Sequence, residues 1–212
     1  MKYINTLSII LGVAFLSSCT KHEVIPAPEY EAKLPVSFNG DIQGANYEII
    51  KDIKGFFHET SQAQEILPTP QPSTITYYSS LKSTEKADIV QIRLGKLLFS
   101  SNNNGRPSKD VFNEFFKTGI TQPITFKTDA EDGVEIFFQD EQGISYFSDE
   151  NSGLPQDFEL TNLDEDEDDE GEYMKFVARF NVSLYSNLDA GDPLLVDTIN
   201  IQNAVYEGYF QR

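Results

Sequence analysis

The chain has 212 residues, with 34 acids against 16 bases, one cysteine, two histidines and no tryptophan. One cysteine excludes an internal disulfide or a thiolate zinc site, and two histidines exclude a three-histidine metal centre. A formal charge of −18 repels phosphate backbones and argues against nucleic acid as a partner, while 16 Phe and 10 Tyr supply a core for a single folded domain. The chain opens on Lys2, then an uncharged apolar run from Leu7 to Leu16, then the small residues Ser17 and Ser18. This is the architecture of a secretory signal peptide over residues 1–18, too short to span a bilayer comfortably.

The small residues end on Cys19, the only cysteine. Leu16-Ser17-Ser18-Cys19 resembles the lipobox of bacterial lipoproteins. In that family the Cys thiol is the nucleophile that receives a diacylglyceryl group, and the signal is cut just before it. The resemblance implies lipidation of Cys19, attachment to a membrane through that lipid, and residence in the cell envelope. Several acyl chains, at about 0.8 kcal/mol per buried CH₂, anchor a protein stably. Thr20 follows the anchor where an Asp is absent, which by analogy with enteric bacteria favours the outer membrane over the inner. Removal of residues 1–18 takes away Lys2 and no acid, so the mature body is still more acidic and the lipid must hold it.

Residues 19–33 carry the modified Cys and a tether with two prolines, reaching roughly 40 Å when extended. Residues 34–212 are expected to form one β-rich domain. Leu34 to Phe38 alternates and meets Asn39-Gly40, a turn signal. Asn46–Asp52 and Lys54–Thr60 read as the next strands, and 61–72, with three prolines, as an irregular connection. Thr74–Ser79 and Ala87–Phe99 continue the period of two.

Ser108 to Gly119 breaks that period. Ser108 is a candidate N-cap, Gly119 a stop, and Val111, Phe112, Phe115 and Phe116 share one face, so a short helix is expected over 108–118. The Phe stripe is assigned to core packing rather than to a ligand cavity. Val134–Phe138 and Ile144–Ser148 flank a hairpin loop, Asp157–Asn162 is a short strand, and Tyr173–Tyr185 is the clearest alternation. Leu195–Ile201 and Ala204–Phe210 close the chain, with Asn203 read as the turn between them. The sum is an all-β antiparallel sandwich or partly open barrel of about ten strands with one helix.

Eight acids crowd the nine residues 164–172. Their spacing fails the helix–loop–helix calcium pattern, since Asp169 stands where glycine is required, and the segment is read as a solvated acidic loop. His58 is the one histidine expected in the folded body, and with no G-x-S-x-G elbow it is read as a strand histidine rather than a triad member. No catalytic, cofactor-binding or metal-ligating residue is assigned, and no cofactor is expected.

Beyond the signal, Val36-Ser-Phe38-Asn-Gly40, Val134-Glu-Ile-Phe-Phe-Gln-Asp140, Phe176-Val-Ala-Arg-Phe180 and Ile199-Asn-Ile-Gln-Asn203 resemble a recurring layout of Bacteroidota lipoproteins. That resemblance implies sandwich strands behind a lipid anchor and brings no catalytic residues. Asp197-Thr198-Ile199 also resembles an O-glycosylation motif of exported proteins from that phylum. The expectation is a lipid-anchored envelope protein that binds or scaffolds a protein or glycan partner. The alternatives are a polysaccharide hydrolase built on a carboxylate pair and a structural or adhesin-like surface component.

Overall fold

Alternating apolar residues with few helix formers give strands, and the computed structural model describes them in residues 30–100, 105–186 and 196–212. Glu31–Arg212 gather into one unit, distinct from Met1–Tyr30, of which only Tyr30 is described. The strands are β1 (Ser37–Ile42), β2 (Ala45–Ile50), β3 (Phe56–Glu65), β4 (Ser73–Ser83), β5 (Ile89–Phe99), β6 (Gly133–Gln139), β7 (Ser145–Ser148), β8 (Asp157–Asp168), β9 (Gly171–Tyr185) and β10 (Thr198–Gln211). They form one antiparallel sheet in the order β2-β1-β10-β9-β7-β6-β5-β4-β3. The sheet forks at β9, whose earlier residues pair with β8 and whose last two pair with β7. The all-β expectation holds.

The sheet coils so that β4 and β10 face each other across the core. Ser79 of β4 and Tyr206 of β10 share a 3.1 Å hydrogen bond. At the seam, β3 meets the end of β10 through side chains: Thr60 donates to Gln211 Oε1 at 3.0 Å, and the Gln62 amide donates to the Gln211 carbonyl. Among the described residues no ladder joins these two strands, so the barrel is partly open.

The helix expected over 108–118 is present as α1 (Lys109–Glu114), continued by a π-helical turn over Phe115–Gly119. Ser108 caps it by accepting from the Val111 N–H. Phe112 and Phe116 are buried against Tyr77, with ring centroids 5.4 and 5.5 Å away. Phe116 stacks on Phe210 at 5.2 Å, and Phe210 on Phe176 at 4.6 Å. Each such ring contributes about 2–3 kcal/mol through burial, so the helix is pinned by its stripe and not by its own propensity.

Four local expectations are corrected. Asn39-Gly40 is not a turn: β1 runs through it with a bulge against β10, and the reversal falls at Gln43-Gly44, both at positive φ (52° and 79°), where glycine carries no steric penalty. The irregular connection begins after Glu65, because β3 pairs with β4 over its full length. Asn203 is likewise no turn. Its φ of 52° sits at a bulge inside one continuous β10, and its side chain bonds Asp41. The expected acidic loop 164–172 is a β-hairpin: β8 continues to Asp168 and β9 begins at Gly171. The reason is charge pairing, described next.

Candidate functional site

The acidic hairpin is zipped by basic side chains. Lys175, on the facing strand, reaches Asp164 and Asp166 at 2.9 Å each. Lys109 and Lys117 from α1 and the π-turn pair with Glu167 and Glu165, and Arg212 pairs with Glu172. Asp168 accepts from the Ala32, Glu170 and Gly171 N–H groups and from the Tyr173 hydroxyl. Partial burial raises its pKa, but these four bonds outweigh that and hold the carboxyl below its usual range. The repulsion that predicted a mobile loop is therefore neutralised from three directions. Among the described residues no cluster of His, Cys, Asp or Glu is placed to hold a metal ion.

His58 lies on β3 with Nε2 2.8 Å from Ser79 Oγ, a distance at which a nucleophile and base would meet. Its surroundings make the pair structural. Ser79 is fully buried and shared with Tyr206, and among the described residues His58 Nδ1 has no hydrogen-bond partner and no carboxylate orients the ring as a triad acid would. Burial, then the Lys51 charge, push the imidazole pKa down to about 3. His58 is neutral at ordinary pH and packs on Tyr209 at 4.2 Å.

The site with the strongest physical signature lies over the start of β6 and the second half of β5. A cleft of about 500 Å³ opens there, walled by Leu98, Phe115, Ile120 and Ile124, with Thr121, Thr125, Lys96 and Asp132 supplying polar groups. That volume falls within the range of small-ligand sites. One wall is the π-turn, a geometry frequent at functional sites. The other is the end of the turn 128–132, whose Asp132 lines the cleft and in which Asp129, Ala130 and Asp132 all sit at positive φ (54°, 51° and 57°). Asp tolerates this region, but Ala130 gives up about 1 kcal/mol. There the turn comes so close to β5 that a Cβ at Gly95 would stand 2.5 Å from the Ala130 carbonyl oxygen.

Glu135 holds the strained wall. It is 2% exposed, accepts from the Asp129 N–H at 2.7 Å and pairs with Arg93 directly across the β5–β6 ladder. Burial dominates its titration and raises the pKa, although the Asp129 N–H and Arg93 pull it down. Arg93 is itself boxed by Tyr78, Phe137 and Phe147, with ring centroids 5.4–5.8 Å from the guanidinium carbon, and donates to Gln91 at 2.9 Å. The Arg93–Glu135 pair and its aromatic box thus fix the turn that shapes the cleft.

The mouth of the cleft is charged unevenly. Lys96 lies 3.4 Å from Glu131, so its charge is already answered. Asp132 is exposed and makes no ion pair among the described residues.

Sequence reasoning assigned none of these residues. The available signal was Phe137 and Phe147 at outward positions of otherwise alternating strands, where polar residues are the norm. The Phe stripe went to the core as expected, except that Phe115 also lines the cleft. The lipobox Leu16-Ser17-Ser18 and Cys19 lie outside the described residues. Thr198 is the first residue of β10 and is partly exposed. The chain matches no protein-family model, no curated protein and no solved structure.

Proposed function

We propose that this protein is a lipid-anchored component of a bacterial cell envelope, tethered through Cys19, that works as a binding module with the β5–β6 cleft as its ligand site. The anchor rests on the agreement of the basic start, the apolar run and Leu16-Ser17-Ser18-Cys19. The binding role rests on one observation above the others: the cleft is bounded on one side by Phe115 and Gly119 of the π-turn and on the other by Asp132, which closes a turn in which Asp129 and Ala130 are left-handed as well. Such geometry clusters at ligand sites, where a strained backbone shapes the opening.

Two measurements test this reading. Cys19→Ala expressed in a bacterial host is expected to leave the membrane fraction and to take up no labelled fatty acid; unchanged partitioning overturns the anchor. A neutral apolar probe, 1-hexanol, titrated into the mature protein is expected to perturb the NMR signals of Leu98, Phe115 and Ile124, and not to do so in Thr125→Trp, which fills the cleft. Equal perturbation in both proteins overturns the binding site.

A second reading, assembly by strand addition, is favoured by β2. Among the described residues it pairs only with β1, and Ala45, Asn46, Glu48 and Ile50 are exposed along it.

A further inference from the structure

We infer that the β5–β6 cleft takes an organic cation with an apolar body, its positive head resting on Asp132 and its body against Leu98, Phe115 and Ile124. This rests on the cleft being the binding site and adds the chemical class of what binds there.

The apolar half of the argument is the wall. Phe115 and Ile124 are buried at the back of the cleft, while Leu98 is 59% exposed at its side. On β5 the residues flanking Leu98, Leu97 and Phe99, face the core. Leu98 therefore presents its side chain to the cleft and to water, and a ligand body that covers it removes apolar surface from solvent.

The charged half is the mouth. Of the two ionisable side chains that line the cleft, Lys96 is engaged by Glu131. Asp132 has no such partner among the described residues, so the uncompensated charge at the opening is negative. Its backbone is held at φ 57°, within a turn tied down by Glu135 two strand positions away from Gly133, so the carboxylate is presented from a fixed support. An anionic ligand would have to displace Glu131 from Lys96 and approach Asp132 as well. The formal charge of −18 adds to this by concentrating cations and repelling anions at the surface. A purely polar ligand would leave Leu98 uncovered, and a purely apolar one would leave Asp132 unanswered.

Three ligands that share a six-carbon chain separate the contributions: hexyltrimethylammonium, 1-hexanol and hexanoate, titrated into the mature protein by isothermal calorimetry and NMR at low salt. The ammonium is expected to bind about fivefold tighter than the alcohol, the range set by a single exposed charge pair, and hexanoate more weakly than either. Asp132→Asn keeps the shape and accepts the left-handed backbone, so the fold is retained and only the charge is lost. In that variant the ammonium is expected to fall to the affinity of the alcohol, while the alcohol is unchanged. Raising the salt is expected to erode the ammonium advantage and leave the alcohol alone.

An ammonium no tighter than the alcohol, or one insensitive to Asp132→Asn, overturns the inference while hexanol binding that is lost in Thr125→Trp still supports the cleft. Hexanol binding that survives Thr125→Trp, or that never occurs, overturns the cleft reading and this inference together.

Discussion

Two acidic turns of this protein differ in one respect that separates structure from function. The hairpin over 164–172 carries eight acids, yet its strand carboxylates are met by Lys109, Lys117, Lys175 and Arg212, and Asp168 is held by four hydrogen bonds. The turn over 128–132 carries three acids. One faces Lys96, one lies 3.6 Å from Arg93, and Asp132 faces the cleft without a cation among the described residues. Along its strands the dense cluster is answered, with Asp169 and Glu170 at its tip outside any ion pair among the described residues, whereas the unpaired acid of the sparse turn lines a cleft. The number of charges in a segment therefore says little about where a ligand goes. The charges left over after pairing say more.

The largest expected effect comes from removing the support of the sparse turn. Glu135→Ala takes away the partner of Arg93 and the acceptor for the Asp129 N–H at once. It is expected to destabilise the protein by about 3 kcal/mol in urea denaturation, because a largely buried arginine keeps only the more distant Asp129 as counter-charge and the Asp129 N–H loses its acceptor. A loss below about 1 kcal/mol would mean that the turn stands without it.

Acid gives the next effect and separates the hairpin from the rest of the fold. His58 has its pKa lowered from 6.5 to about 3, so the unfolded chain takes up a proton that the folded chain refuses. Stability is expected to fall as pH drops from about 6.5 towards 3, by a few kcal/mol in all. The lowered pKa of Asp168 acts with the same sign but only below its ordinary value of 3.8. Between pH 6.5 and 4 the fall thus belongs to His58, opposed by Glu135, whose raised pKa makes the folded chain take up a proton before the unfolded one, so His58→Gln is expected to flatten or invert the slope in melts taken across that range. A slope that persists in the variant would point to the carboxylate pairs instead.

The smallest effect compares the two turns directly. Lys175→Met strips Asp164 and Asp166 of their shared cation and is expected to cost about 1 kcal/mol at low salt, less at high salt. Asp132→Asn is expected to leave the melting temperature unchanged. Equal losses in the two variants would erase the distinction between a paired and an unpaired turn.

Much of this fold is legible in the chain because period-two patterning speaks for itself. β9 alternates Phe176, Ala178, Phe180, Val182 and Leu184 inward, and the helix declares itself by Ser108, its Phe spacing and Gly119. Breaks in the pattern are harder to read. Asn39-Gly40 and Asn203 carry turn chemistry but serve bulges, Asn203 with a left-handed backbone and Asn39-Gly40 without one, and only the partner strand decides. Sequence alone reads the acidic hairpin as a loop because its cations come from α1, the π-turn, the facing strand and Arg212, and their proximity is tertiary. The cleft was illegible for the same reason. Arg93 and Glu135 are 42 positions apart and meet only through the β5–β6 register, and Asp132 stands out only once Lys96, which lines the same cleft, is seen to face Glu131.

The seam between β3 and β10 has a mechanical consequence. Strands elsewhere in the wall are stitched by backbone bonds along their lengths, whereas here, among the described residues, Gln211 clasps Thr60 and Gln62 and His58 packs on Tyr209. If the barrel breathes, it unbuttons along this line first, and amide protons on the outer margin of β3 trade with solvent sooner than those of β5 or β9.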